Sequence, residues 1–127
     1  MKDKVPNEFK SNIVYKFNCP GCKSSYIGKT ERNFFKRCEE HASKKDSAVN
    51  NHLSYCPEAQ FLINMLTMDL DNYDVRKIKI TMVTDNTTIL DTSHNWSILL
   101  FKEALYIKRY KPLLNNGLKA SRELQLF

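Results

Sequence analysis

The sequence predicts an α+β domain, a small three-stranded antiparallel or mixed sheet flanked by helices. Three observations predict it. Residues 12–18 alternate, with Ile13, Tyr15 and Phe17 on one face and Val14, Lys16 and Asn18 on the other, which is the period of a strand. Residues 31–44 carry Phe34, Phe35, Cys38 and Ala42 as one apolar stripe at helical spacing. A longer helical stretch runs from about Ser93 or Asn95 to Tyr110 and stops before Pro112, which cannot continue a helix.

The elements follow in order. Residues 1–11 are polar and form a leader. The first strand ends at Cys19-Pro20-Gly21-Cys22, a tight knuckle, and Ser24 to Gly28 gives a second strand, so the two form an antiparallel hairpin. Thr30 offers an N-cap for the helix over 31–44. Ser47 to Ser54 reads as a shorter helix. Residues 57–75 have no clear period, and Asp69, Asp71 and Asp74 mark a surface loop. Residues 76–84 alternate again, Ile78, Ile80 and Met82 against Lys77, Lys79 and Thr81, and give the third strand. After the long helix, Asn116-Gly117 signals a turn, and residues 118–127 form a tail or a short strand. The order strand, strand, helix, helix, strand, helix is that of an α+β domain spanning 12–117.

At 127 residues the chain suffices for one domain that buries roughly two-thirds of its unfolded surface. Hydrophobic residues make up 42%, enough to fold rather than stay disordered. The formal net charge of +6 suits a polyanionic partner without requiring one. Residues 1–6 contain no signal-like apolar stretch, and the longest apolar run, Ile98 to Phe101, cannot span a membrane. The four cysteines are therefore expected in a reducing compartment, where metal ligation is favoured over disulfides.

Cys19-x2-Cys22 has the spacing of half a zinc site. Two pairs compete to complete it. Cys38-x2-His41 gives a finger-like C-x2-C-x15-C-x2-H, which spacing favours, and His52-x3-Cys56 gives a wider split site. A redox dithiol is disfavoured, because such pairs open a helix and here a strand follows Cys22.

Other residues fit phosphodiester chemistry. Glu103 is the one carboxylate between Asp91 and Glu123 and borders an apolar helix stripe with Leu99, Ile107 and Tyr110. A carboxylate there needs a pairing lysine, such as Lys102 or Lys108, or a metal. Arg37 and His41 are four apart and share a helix face; the arginine fork suits a phosphate oxygen, but the residues alone favour a solvated Arg/Glu face with Glu39 and Glu40. Tyr15 and Tyr26 fall on neighbouring strands, where tyrosines are ordinarily core. Gly28 allows close backbone approach, and Lys29 beside it can supply positive charge.

Taken in order, Val14-Tyr15, Tyr26-Ile27-Gly28, Arg37, Glu103 and Asn115 resemble a GIY-YIG nuclease domain over about residues 12–116. The chain is most similar to the endonuclease domain of Penelope-like retroelements. The shared features are the cysteine knuckle, Ser47-Ala48-Val49 leading to His52-Leu53, and Glu103-Ala104-Leu105-Tyr106-Ile107 before Pro112 and Asn115. Ile13 replaces the first glycine of the family's name, as in many retroelement versions. The resemblance implies a metal-dependent DNA endonuclease of low sequence specificity. Tyr15, Tyr26, Arg37, His41 and Glu103 would be its catalytic residues, and Gly28, Lys29 and Asn115 its substrate contacts. One tyrosine would help deprotonate the nucleophilic water and the other orient it, in either assignment. Glu103 would bind catalytic Mg²⁺ or Mn²⁺. Cys19, Cys22, His52 and Cys56 would bind structural Zn²⁺, leaving His41 to the active site and Cys38 to the core. DNA is the implied partner, with a reverse transcriptase domain in a longer parent protein, and a nuclear location follows from that substrate.

Basic residues suit phosphate neutralisation: Lys102, Lys108, Arg109, Lys111, Lys119 and Arg122 late in the chain, and Lys23, Lys29, Lys36, Lys44 and Lys45 near the hairpin. His94 is expected at the surface or as a cap, and Trp96 in the core or an interface. Two alternatives to a nuclease are a non-catalytic zinc-stabilised nucleic-acid-binding module and a zinc-bearing protein-interaction domain.

Overall fold

β1 (Ile13–Asn18) has apolar side chains on both faces because it is the middle strand of the sheet, in the order β2-β1-β3. β2 is Ser25–Thr30 and β3 is Thr87–Thr92, and both pair with β1 antiparallel. Between the strands and after them lie α1 (Phe34–Ser43), α2 (Ala48–Tyr55), α3 (Pro57–Thr67), α4 (Asn72–Asp85) and α5 (Trp96–Tyr110). These elements come from a computed structural model that describes residues 10–115. The domain is thus α+β, a three-stranded antiparallel sheet flanked by helices.

The alternation of β1 divides the core. Ile13, Tyr15 and Phe17 join Phe34, Cys38, Val49, Leu53, Ala59, Ile63, Met82 and Val83, so α1 to α4 cover one face of the sheet. Val14 joins Ile27 and Leu99 on the other face, under α5. Among the described residues no helix is long and apolar enough to cross a membrane.

Several boundaries differ from the sequence expectation. Thr30 does not cap α1. It ends β2, its Oγ1 accepts the Arg32 N–H at 3.0 Å, and Asn33 caps α1 by accepting from Lys36 N at 2.8 Å. The unassigned stretch 57–75 contains α3, opened by Pro57 at its first turn, and the start of α4. Asp71, expected in a loop, is the N-cap of α4, accepting from Asp74 N at 2.9 Å.

The third strand was expected at 76–84, but those residues lie in α4, and β3 follows at Thr87–Thr92. Ile78 and Met82 are four apart, so the same residues that alternate also fall on one helix face. Met82 and Val83 are the buried residues of α4, consecutive positions that a strand would send to opposite faces. The expected turn at Asn116-Gly117, the tail at 118–127 and most of the leader lie outside the described residues.

Candidate active site and metal centre

Tyr15 enters the site from β1, opposite Gly28 of β2. A Cβ at Gly28 would lie 2.5 Å from the Tyr15 hydroxyl and 2.8 Å from Cε2 of Tyr26. The missing side chain is therefore the space in which the two phenols meet, with ring centroids 6.3 Å apart. Tyr15 is 1% exposed, whereas Tyr26 is half-buried.

One turn of α1 brings two side chains to the same hydroxyl. Arg37 Nε donates to Tyr15 Oη at 2.9 Å, and His41 Nε2 lies 2.6 Å from that oxygen. His41 Nδ1 is 2.6 Å from Oγ of Ser47, the N-cap of α2. A guanidinium only donates, so the Tyr15 hydrogen is left to point at His41, and the imidazole proton then sits on Nδ1 facing Ser47. Burial, aided by the Arg37 charge, pulls the His41 pKa down to about 3 and keeps the ring neutral. Burial first, then Tyr26, raises the pKa of Tyr15; Arg37 opposes this and the Glu103 charge adds to it. The edge of the Tyr26 ring meets His41 at 5.4 Å, and Arg37 hydrogen-bonds Tyr26 as well.

Glu40, also on α1, is a buried carboxylate ringed by cations. Arg37 Nη1 donates to it at 3.1 Å, Lys44 lies at 3.7 Å, and Arg32 pairs with its other oxygen. Arg37 thus makes the expected Arg/Glu helix-face pair with Glu40 and reaches the Tyr15 hydroxyl with the same side chain.

Glu103 comes from α5 and is 9% exposed. It pairs neither with Lys102 nor with Lys108 of its own helix but with Lys29 of β2, Nζ to Oε1 3.4 Å. Lys102 instead bonds Asp91 and the Thr92 carbonyl, both at 2.9 Å, so it is less free for DNA than the sequence suggested. Trp96, expected in the core or an interface, is 45% exposed with Lys29 Nζ 5.0 Å from its ring centroid. Lys29, Arg32, Arg37, Lys44, Glu40 and Trp96 line a cleft of about 310 Å³.

Asn115 occupies a structural position. Its Oδ1 accepts from Ile27 N and its Nδ2 donates to Ile27 O, both at 2.8 Å. Both the oxygen and the amino group of the amide are engaged with the backbone, so Asn115 ties the chain after α5 to β2.

A candidate metal centre lies at the knuckle that joins β1 to β2. The ligand atoms of Cys19, Cys22, His52 and Cys56 all lie within 4.8 Å of one another. Cys19 Sγ to Cys56 Sγ is 4.0 Å, and Cys22 Sγ to His52 Nε2 is 3.3 Å. A tetrahedral zinc ion with ordinary bond lengths separates sulfurs by about 3.8 Å and sulfur from nitrogen by about 3.5 Å, so the donor set fits. Backbone N–H groups of Gly21 and Ser24 point at Cys19 and Cys22 sulfur, each at 3.4 Å. At Cys22, burial is outweighed by the bonds from Ser24, His52 and Cys19, which pull the thiol down to about 6; burial pushes Cys19 up to about 11. Gly21 allows the knuckle to press on α3, since a Cβ there would sit 2.7 Å from the carbonyl carbon of Glu58. Cys38 is absent from the cluster. It lies in the core with its thiol pushed up to about 11 by burial. The finger-like alternative of Cys38 with His41 is thereby overturned, because His41 is committed to Tyr15 and Ser47.

Tyr15, Tyr26, Gly28, Arg37 and His41 thus meet directly, with Lys29 and Glu103 paired beside them. Sequence reasoning missed Ser47 and Glu40 as members. Ser47 stands in the sequence as a helix start and as part of the shared Ser47-Ala48-Val49 stretch, without a role, and Glu40 only as part of a charged face. His94 is exposed, as expected. No family model, curated protein or solved structure matches this chain.

Proposed function

We propose that this chain is a metal-dependent DNA endonuclease of the GIY-YIG kind, with a structural zinc site. The observation that carries this reading is the shared Tyr15 hydroxyl. It accepts from Arg37 and donates to a neutral His41 while Tyr26 and Gly28 close around it. A tyrosine needs help to act as a base near neutral pH, because its free pKa is about 10. Here Arg37 opposes the rise that burial imposes on the Tyr15 pKa, and His41 accepts a hydrogen bond from the phenol without taking its proton. Tyr26, half-buried where Tyr15 is 1% exposed, is then the phenol that meets the nucleophilic water, and Tyr15 positions Arg37. Arg37, also bound to Glu40, is positioned to offer its remaining N–H groups to a phosphate oxygen.

Glu103 is a hard oxygen donor beside the cluster and would hold Mg²⁺ or Mn²⁺ with water completing the shell. Such an ion supplies charge neutralisation at the leaving oxygen. Lys29, the present counter-ion of Glu103, would turn to the phosphate. DNA is the substrate class, and a retroelement origin, a nuclear location and a reverse transcriptase partner belong to the same proposal.

The test is conversion of supercoiled plasmid with Mg²⁺ or Mn²⁺. The parent protein is expected to give nicked or linear product, and Arg37→Ala and Glu103→Ala to lose about a hundredfold or more, the usual scale for a group that acts in the transition state. Equal cutting by all three proteins would sink the mechanism. The Lys29–Glu103 ion pair favours a second reading, a non-catalytic nucleic-acid-binding module, in which that carboxylate needs no metal. DNA binding that survives Glu103→Ala, with no cleavage by any version, would establish it.

A further inference from the structure

The cleft beside the tyrosines is built for more than a phosphate. Four cations, Lys29, Arg32, Arg37 and Lys44, line it against the carboxylates of Glu31 and Glu40. Glu40 gathers three of those cations onto one wall. Trp96 also lines the cleft, and almost half of its surface meets solvent although a large apolar ring gains from burial. Lys29 lies over the ring at 5.0 Å, which fixes its attitude toward the cationic wall. An exposed indole set among phosphate-binding cations is the arrangement that single-stranded nucleic acid uses, backbone on the cations and base on the ring. A paired base keeps both faces covered by its neighbours, so it cannot use such a platform without leaving the stack.

We propose that Trp96 is a stacking platform for one unpaired nucleobase next to the phosphate held by Arg37 and Lys29, and that the substrate is DNA with a single-stranded or unpaired nucleotide at the cut. This rests on the nuclease reading for its substrate and goes beyond it in naming the DNA structure.

Trp96 is the sole tryptophan of the chain, so its emission reports on this one position. Oligothymidylate is titrated in buffer without added divalent cation, binding is followed by anisotropy of a labelled strand, and tryptophan emission is read in parallel. Three comparison ligands are used: the same strand in a duplex, an abasic strand of equal length, and inorganic phosphate. Quenching by the single strand is expected, with little from the comparison ligands. Trp96→Ala is expected to bind the single strand about 5- to 150-fold more weakly, the range for loss of one stacked base, and Trp96→Phe to recover part of it. A thermal melt confirms that both variants stay folded, as an exposed position should allow.

Unchanged emission at saturating strand, equal quenching by duplex, absence of any strand binding, or unaltered affinity of Trp96→Ala would each overturn the platform. The plasmid assay is scored separately. Nicking by a protein whose emission does not respond keeps the nuclease and removes the platform, and quenching without nicking keeps the platform and removes the nuclease.

Discussion

His41 holds two hydroxyls, Tyr15 through Nε2 and Ser47 through Nδ1, so its protonation state sets the geometry of both. Its pKa falls from the ordinary 6.5 to about 3 on folding. The unfolded chain therefore binds the extra proton first, and this contribution to stability is present above about pH 6.5 and is lost as pH falls toward 3. Between pH 7 and pH 5 the loss is about 2 kcal/mol, on the scale of about 1.4 kcal/mol per pH unit. Urea midpoints at the two pH values should therefore differ less for His41→Gln than for the parent. Equal differences would show that another group carries the acid limb. Gly28 is the other sensitive position. Gly28→Ala places a Cβ 2.7 Å from Cζ of Tyr15, a side chain too buried to yield, and should cost about 1–3 kcal/mol together with plasmid cutting. A variant that melts and cuts like the parent would mean the tyrosines can separate. At this scale spacing shows that Arg37 and His41 share a helix face and that Tyr15 and Tyr26 lie on neighbouring strands, but only the resemblance implies that these residues form one site. Ser47 and Glu40 are not readable, because a hydroxyl acceptor and a cation hub are defined only by what folds against them.

The knuckle between β1 and β2 approaches Cys56, Cys19 Sγ to Cys56 Sγ 4.0 Å, and Cys56 ends α2 and also caps α3. One bound ion would join a hairpin and two helices, and the hairpin carries both tyrosines. Metal analysis is expected to find about one zinc per chain. Cys56→Ser and His52→Ala should lose it, with a fall in Tm of about 10 °C if only 2–3 kcal/mol is forfeited. Cys38→Ala should keep it. Retention of zinc by Cys56→Ser with loss by Cys38→Ala would restore the finger-like ligand set. Spacing favours the finger-like set, because Cys38 and His41 lie at zinc-finger intervals; α1 overrules it by turning Cys38 into the core. The misplacement of the third strand has a similar cause. Residues 76–84 satisfy two periods at once, whereas the true strand, Thr87–Thr92, is half-exposed and irregular. Ile89 and Leu90 join opposite cores, as consecutive strand residues do, but the register shifts between Val14 and Tyr15, whose partners are Asp91 and Ile89, so Leu90 is the extra residue, an irregularity that depends on β1 and is invisible in β3 alone.

For the molecule as a whole, a positive balance was legible from composition, but its distribution was not. Arg32 and Lys44, whose side chains are 61% and 58% exposed, join Arg37 in the cleft, whereas Lys102 is neutralised by Asp91, and Lys119 and Arg122 fall outside the described residues. Lys44→Ala should lower the slope of log affinity for DNA against log salt by about 0.9 if it neutralises one phosphate. Lys77→Ala, whose ammonium lies over Tyr73 on α4, should leave that slope unchanged. Equal slopes for the two variants would mean that DNA does not enter by the cleft. The α+β class was readable because β1 and α5 have unambiguous patterns, and those two elements fix which face of the sheet each layer covers. Outward-facing peptide groups alternate along β2, and Asn115 occupies the central set at Ile27 with a side-chain amide that stands in for a fourth strand. A strand of a second molecule would have to displace that amide to pair with the middle of β2, so a single asparagine blunts this edge where larger proteins cover one with a helix or a loop.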